Sequence, residues 1–146
     1  MRIALASAEA GAASLPRMNL AYEVSQVATR EGDGELAARA IERALGDART
    51  IQPTDRLQIG SLEIFRARIL RTVGDLATAE AAATNANREF DEADAPSANR
   101  AIAEATLALI VAERGDRERG RAIIQGAQAR LGGDPPLPDL SLIHIS

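Results

Sequence analysis

"LRTVGDLATAEAA", residues 70–82, sets a Gly-Asp pair inside a run of helix-forming residues. Glycine costs about 1 kcal/mol relative to alanine in a helix interior. The pair is therefore read as a boundary, with Gly74 ending one helix and Asp75 capping the next. The same pair recurs at Gly32-Asp33 in "TREGDG" and at Gly115-Asp116 in "AERGDR". The three glycines stand 42 and 41 residues apart, which marks a repeat.

Apolar residues flank each mark at helical spacing. Leu20, Val24 and Val27 precede the first, Leu62, Ile69 and Val73 the second, and Leu107, Ile110 and Val111 the third. Leu36, Ala37, Ala40, Ile41 and Ala44 follow the first. Leu76, Ala79, Ala83 and Ala86 follow the second, and Ile123, Ile124 and Ala127 the third. These patterns fit a 3.6-residue period and not the alternation of strands. Pro53, Pro96 and Pro135 keep nearly the same interval, 43 and 39 residues, and close each second helix. Asp47 with Thr54, and Asp94 with Ser97, are expected to supply loop or capping oxygens. The expectation is an all-α chain of six helices in three hairpins: 17–31 with 34–50, 55–73 with 76–92, and 97–114 with 117–131.

Composition bounds the function. The 146 residues are 46% hydrophobic but only 2% aromatic, so the core must be built from Ala, Leu, Ile and Val. A net charge of −4 and a pI near 5.1 argue against nucleic acid as a partner. With no cysteine there is neither a disulfide nor a thiolate metal site. No apolar run approaches the roughly 18 residues of a membrane span. The start, "MRIALASAEAG", is too weakly apolar around Glu9 for a secretory leader, so a cytoplasmic location is expected.

A helix–turn–helix repeat of this kind resembles the tetratricopeptide repeat family, whose usual period is about 34 residues. With the Gly-Asp marks aligned to the family's inter-helix turn, its small-residue positions fall on Ser25, Ala67 and Ala108, on Ala37, Ala79 and Gly120, and on Ala44, Ala86 and Ala127. All nine are small. The family's bulky aromatic positions instead hold Ala21, Glu63 and Glu104, and Ala28, Leu70 and Val111. Its Leu position holds Val24, Arg66 and Leu107, so Arg66 must snorkel or the register shifts there. The longer period implies second helices about one turn longer. The resemblance covers residues 17–135 and implies a right-handed α-solenoid of three antiparallel hairpins, 17–52, 53–95 and 96–135.

Residues 1–16 read as the end of a preceding helix or an N-terminal cap, with a break at Ser14-Leu15-Pro16. Residues 136–146 read as a disordered or non-native tail, and "SLIHIS" resembles translated sequencing-adapter sequence. The chain is accordingly expected to be a fragment of a longer bacterial regulatory or signalling protein.

No residue is expected to be catalytic, and neither a cofactor nor a metal is expected. His144, the one histidine, lies in the tail. Glu89, Asp91, Glu92 and Asp94 lack the ligand alternation of a calcium loop and read as a solvated helix end. No phosphate-loop motif occurs. The resemblance points instead to a surface, because first helices line a groove in such arrays. Carried over, the groove positions are Tyr22, Gln26 and Arg30; Ile64, Phe65, Arg68 and Arg71; and Ile102, Thr106, Leu109 and Glu113. The basic clamp that one subfamily uses for C-terminal carboxylates is absent. The expected function is a non-catalytic scaffold that binds a protein or peptide of some acidic character, with no membrane partner. The alternatives are a self-association element and, behind it, an enzyme on a helical scaffold. Phe65 packing between hairpins, and Arg68 and Arg71 on an ordinary solvated face, are the plainer readings of those residues.

Overall fold

The computed structural model describes residues 4–5 and 11–132. Among the described residues there is no strand, and six helices follow one another: α1 (Leu15–Arg30), α2 (Gly34–Ile51), α3 (Arg56–Val73), α4 (Leu76–Glu92), α5 (Ser97–Glu113) and α6 (Arg117–Arg130). Each packs on its chain neighbours, most extensively α1 on α2, α3 on α4 and α5 on α6. Links of two or three residues join those pairs, so each is an antiparallel hairpin. In addition α3 touches α5.

The Gly-Asp marks work as the sequence predicts. Gly32, Gly74 and Gly115 adopt φ of 77°, 90° and 107°, a left-handed conformation that glycine reaches without a Cβ penalty. The following aspartate then acts twice. Its backbone N–H donates back to the carbonyl five residues earlier, from Asp33 to Ala28 (2.9 Å), Asp75 to Leu70 (3.0 Å) and Asp116 to Val111 (3.2 Å). Its side-chain oxygen accepts from the N–H of Leu36 (3.1 Å), Thr78 (3.2 Å) and Arg119 (3.1 Å) respectively. One dipeptide thus satisfies orphan groups of two helices at once.

The links between hairpins correct three details. Asp55, not Thr54, caps α3 by accepting from Gln58 N–H at 3.2 Å. Pro96 occupies the cap position of α5, and Ser97 makes no capping bond. Asp47 is no loop residue: it lies in α2, 2% exposed, and accepts from Arg17 Nε at 2.7 Å. Leu15 and Pro16 belong to α1, whose cap is Ser14, so the expected break lies one turn earlier. Ala4 and Leu5 are helical, and Leu5 is buried in the core of the first hairpin. The tail 136–146, with Pro135 and His144, lies outside the described residues.

The core runs along the chain as three clusters, each spanning more than one hairpin or joint. The first joins α1 and α2 to Ile59, Leu62 and Ile69 of α3. The second joins Ala67 and Leu70 of α3 to α4 and to Ile110 of α5. The third joins Ile64 to Ala86, Phe90, Ala95 and Ala103. All nine small-residue positions are buried. The reason is visible at Gly120, where a Cβ would lie 2.9 Å from the Ala108 carbonyl oxygen and 3.1 Å from Ala112 Cβ. At that spacing α6 closes on α5 backbone to backbone, and only the smallest residue fits.

Candidate partner-binding site

Two helical stripes face the same side. In α1 the residues Asn19, Tyr22, Gln26 and Arg30 recur every three or four positions, as do Gln58, Ser61, Phe65 and Arg68 in α3. Each first helix is followed by a returning partner, so α1 and α3 run parallel. Between their N-terminal halves lies a cleft of about 300 Å³ lined by Met18, Asn19, Tyr22, Gln58, Ser61 and Leu62. Tyr22 and Phe65 meet at the head of this cleft, ring centroids 5.7 Å apart and tilted by 59°, an edge-biased geometry that aromatic quadrupoles favour. Both rings are half-buried and pack on the core of the first hairpin. Phe65 therefore bridges two hairpins and still borders the surface.

Beyond the aromatic pair the stripe turns polar. Every one of the 17 basic residues in the sequence is arginine, and most of those described are engaged by carboxylates. Arg68 and Arg30 are exposed, and neither has a carboxylate within ion-pair range among the described residues. Arg30 makes only a long bond, Nη2 to Gln26 Oε1 at 3.4 Å. Arg71, grouped with them in the sequence reading, is already held: Nε and Nη2 both donate to Glu113 Oε1, at 2.8 and 2.5 Å.

The other positions separate. Ile64 is buried in the third core cluster, and Thr106 is buried with its hydroxyl donating to the Ile102 carbonyl at 2.9 Å. Neither is a surface group: Ile64 clusters with Ala86 and Phe90 of α4 and Ala103 of α5, and Thr106 is 8% exposed. Leu109 is half-buried and Ile102 is 49% exposed. The cleft residues Met18, Asn19, Gln58, Ser61 and Leu62 were missed in the sequence. Extending the Tyr22 and Phe65 stripes one turn toward the helix starts finds Asn19, Ser61 and Gln58.

The carboxylates are structural. Glu63 is 1% exposed. Its Oε1 accepts from Arg49 Nη2 at 3.0 Å, while its Oε2 has no hydrogen-bond partner. Burial pushes the Glu63 carboxyl above its usual pKa, against the pull of Arg49 and Arg66. Arg66 does snorkel: half-buried, it reaches between Glu63 and Glu42, at 3.9 Å from each. The acidic group at the end of α4 is not simply solvated. Glu89 is buried against Arg56 (3.2 Å), which also holds Glu92, and Arg100 holds Asp91 at 2.7 Å.

One ion-pair position repeats on the second helices. Asp47, Glu89 and Arg130 stand 42 and 41 residues apart, the interval of the glycines. Each clasps its second helix to the first helix of its own hairpin, through Arg17, Arg56 and Glu104 respectively. In the third hairpin the signs are reversed.

Among the described residues no cluster of His, Cys, Asp and Glu could hold a metal ion, and no helix is long and apolar enough to cross a membrane. No family model matches the chain, and neither a curated protein nor a solved structure matches it significantly.

Proposed function

We propose that the chain is a non-catalytic interaction scaffold, a tetratricopeptide-like array whose first helices present a groove to a peptide or protein segment of acidic character. The observation that carries this reading is the shared face of α1 and α3. It combines a cleft, an aromatic pair and two arginines, Arg30 and Arg68, that lack carboxylate partners among the described residues. On a protein with a net charge of −4, such cations steer an acidic partner and repel little else. Arginine can also grip a carboxylate with two parallel bonds, and with aromatic residues it is enriched among interface anchors. A right-handed solenoid would continue this face from hairpin to hairpin. The groove offers few anchors, so affinity should be about micromolar or weaker.

The test is selection of a peptide library against the chain, repeated with Arg68→Ala and Arg30→Ala. Acidic peptides should be enriched and should be lost with Arg68→Ala. Enrichment of basic peptides, or hits indifferent to both substitutions, would place the binding face elsewhere.

A further inference from the structure

Resting on that reading, we infer that the ligand carries two anchors at a fixed spacing: one bulky apolar side chain seated in the α1–α3 cleft, and one carboxylate about three residues away held by Arg68. The cleft is bounded by Met18, Leu62 and the ring of Tyr22, with Asn19, Gln58 and Ser61 around its rim. Its volume of about 300 Å³ has room for a Leu, Met or Phe side chain. Three amide or hydroxyl side chains beside an apolar floor suit a peptide main chain, whose N–H and C=O groups need partners once they leave water. Gln58 enters with an unmet need of its own, since its Oε1 is buried with no hydrogen-bond partner. A small rotation of that amide would offer the oxygen to a ligand N–H.

The spacing follows from the helix. Ser61 and Arg68 lie on one stripe, seven residues apart, or about 10 Å along the axis at 1.5 Å per residue. A peptide in polyproline II conformation advances about 3.1 Å per residue and returns a side chain to the same face every third residue. A carboxylate facing Arg68 therefore stands about three residues from the side chain in the cleft. Tyr22 and Phe65, in contact between the two anchor points, form the ridge that the intervening residues cross. Charge selects the second anchor: along α3 the next cation, Arg71, already holds Glu113, whereas Arg68 is left to receive a new carboxylate.

The inference is tested with fluorescent nine-residue Gly/Ser peptides carrying one Leu and one Glu, in both orders and with zero to five residues between them, titrated by anisotropy against the full chain. Binding should peak with two intervening residues. Replacing Leu by Ser should weaken it about tenfold, and replacing Glu by Lys should weaken it about fivefold. Ser61 is exposed, so Ser61→Phe fills the cleft without disturbing the core, and it should remove the dependence on Leu while leaving the dependence on Glu. Arg68→Glu should do the converse and favour the Lys peptide. Circular dichroism of both variants confirms that they remain helical. Acidic peptides that bind through Arg68 but ignore Leu, the spacing and Ser61→Phe would overturn this inference and leave the broader reading standing. No binding by any peptide at millimolar concentration would overturn both.

Discussion

Arg71 and Glu113 hold each other across the joint between the second and third hairpins, two arginine N–H groups on one carboxylate oxygen at 2.8 and 2.5 Å. The pair occupies the same face as Arg68, so Glu113 already fills the role that a ligand carboxylate would play at Arg71. If the face binds acidic peptides, the two residues must act in opposite directions. Glu113→Gln frees Arg71 and should tighten acidic peptides a few-fold. Arg71→Ala leaves Glu113 unbalanced and should weaken them by a similar factor, within the range of half-exposed ion pairs. Peptide titration of both variants decides: changes of the same sign would make the pair a purely structural tie.

Glu63 predicts an unusual pH dependence. Its pKa in the folded protein lies above the usual value near 4.5, because burial penalises the carboxylate. The folded chain thus binds more proton than the unfolded one in that window, and stability from this group is present below pH 4.5 and lost as pH rises through the folded pKa. Glu63→Gln removes that loss. Its partner Arg49 is 41% exposed and can return to water. Urea unfolding at several pH values from 4.5 to 7.5 should show the variant gaining on the parent as pH rises. A constant or shrinking difference would contradict the assignment.

Two glycines should respond oppositely to the same change. Gly120→Ala forces a methyl group against the Ala108 carbonyl, a backbone atom that cannot swing away. Overpacking of this kind costs about 1–3 kcal/mol and outweighs the helix-propensity gain of about 1 kcal/mol. Gly46→Ala meets nothing within 4 Å in the middle of α2 and keeps the gain. Thermal melts should move down for the first and up for the second. A stabilised Gly120→Ala would mean that α5 and α6 are not so closely packed.

Asp75→Ala should remove the bond from the Thr78 N–H and cost about 1 kcal/mol, the usual value of a helix cap. Asp75→Asn keeps an acceptor and should cost less. Equal losses in chemical denaturation would show that the charge, and not the cap, stabilises this turn.

The turns inside the three hairpins were legible because Gly-Asp is chemically unambiguous at this interval: few other dipeptides can end one helix and start another. The buried small residues were legible for a related reason, since close approach of two helices excludes anything larger. What escaped the sequence was the partnering of charges. Asp47 falls inside the helix expected over 34–50, yet its burial depends on Arg17, 30 residues away. Ile64 looks like a groove residue because its neighbours across the joint are not close in sequence, and the burial of Glu63 beside Arg49 escapes for the same reason. The face around Tyr22 and Phe65 was only half visible. The aromatic residues stood out by rarity, whereas Asn19, Gln58 and Ser61 matter only through the space that two helices leave between them.

The reversed clasp of the third hairpin bears on how the chain avoids assembling wrongly. Hairpins of similar length and composition offer one another's helices as substitutes, within a chain or between two copies, and exchange of this kind is a common failure of repeat proteins. A second hairpin that closed on the third hairpin's α6 would set Arg56 against Arg130, and the displaced α5 would set Glu104 against Glu89. Both mismatches join like charges where the correct fold joins opposite ones. The sign of the clasp therefore acts as an address that tells the last two hairpins apart, a distinction that their shared alanine-rich packing does not make.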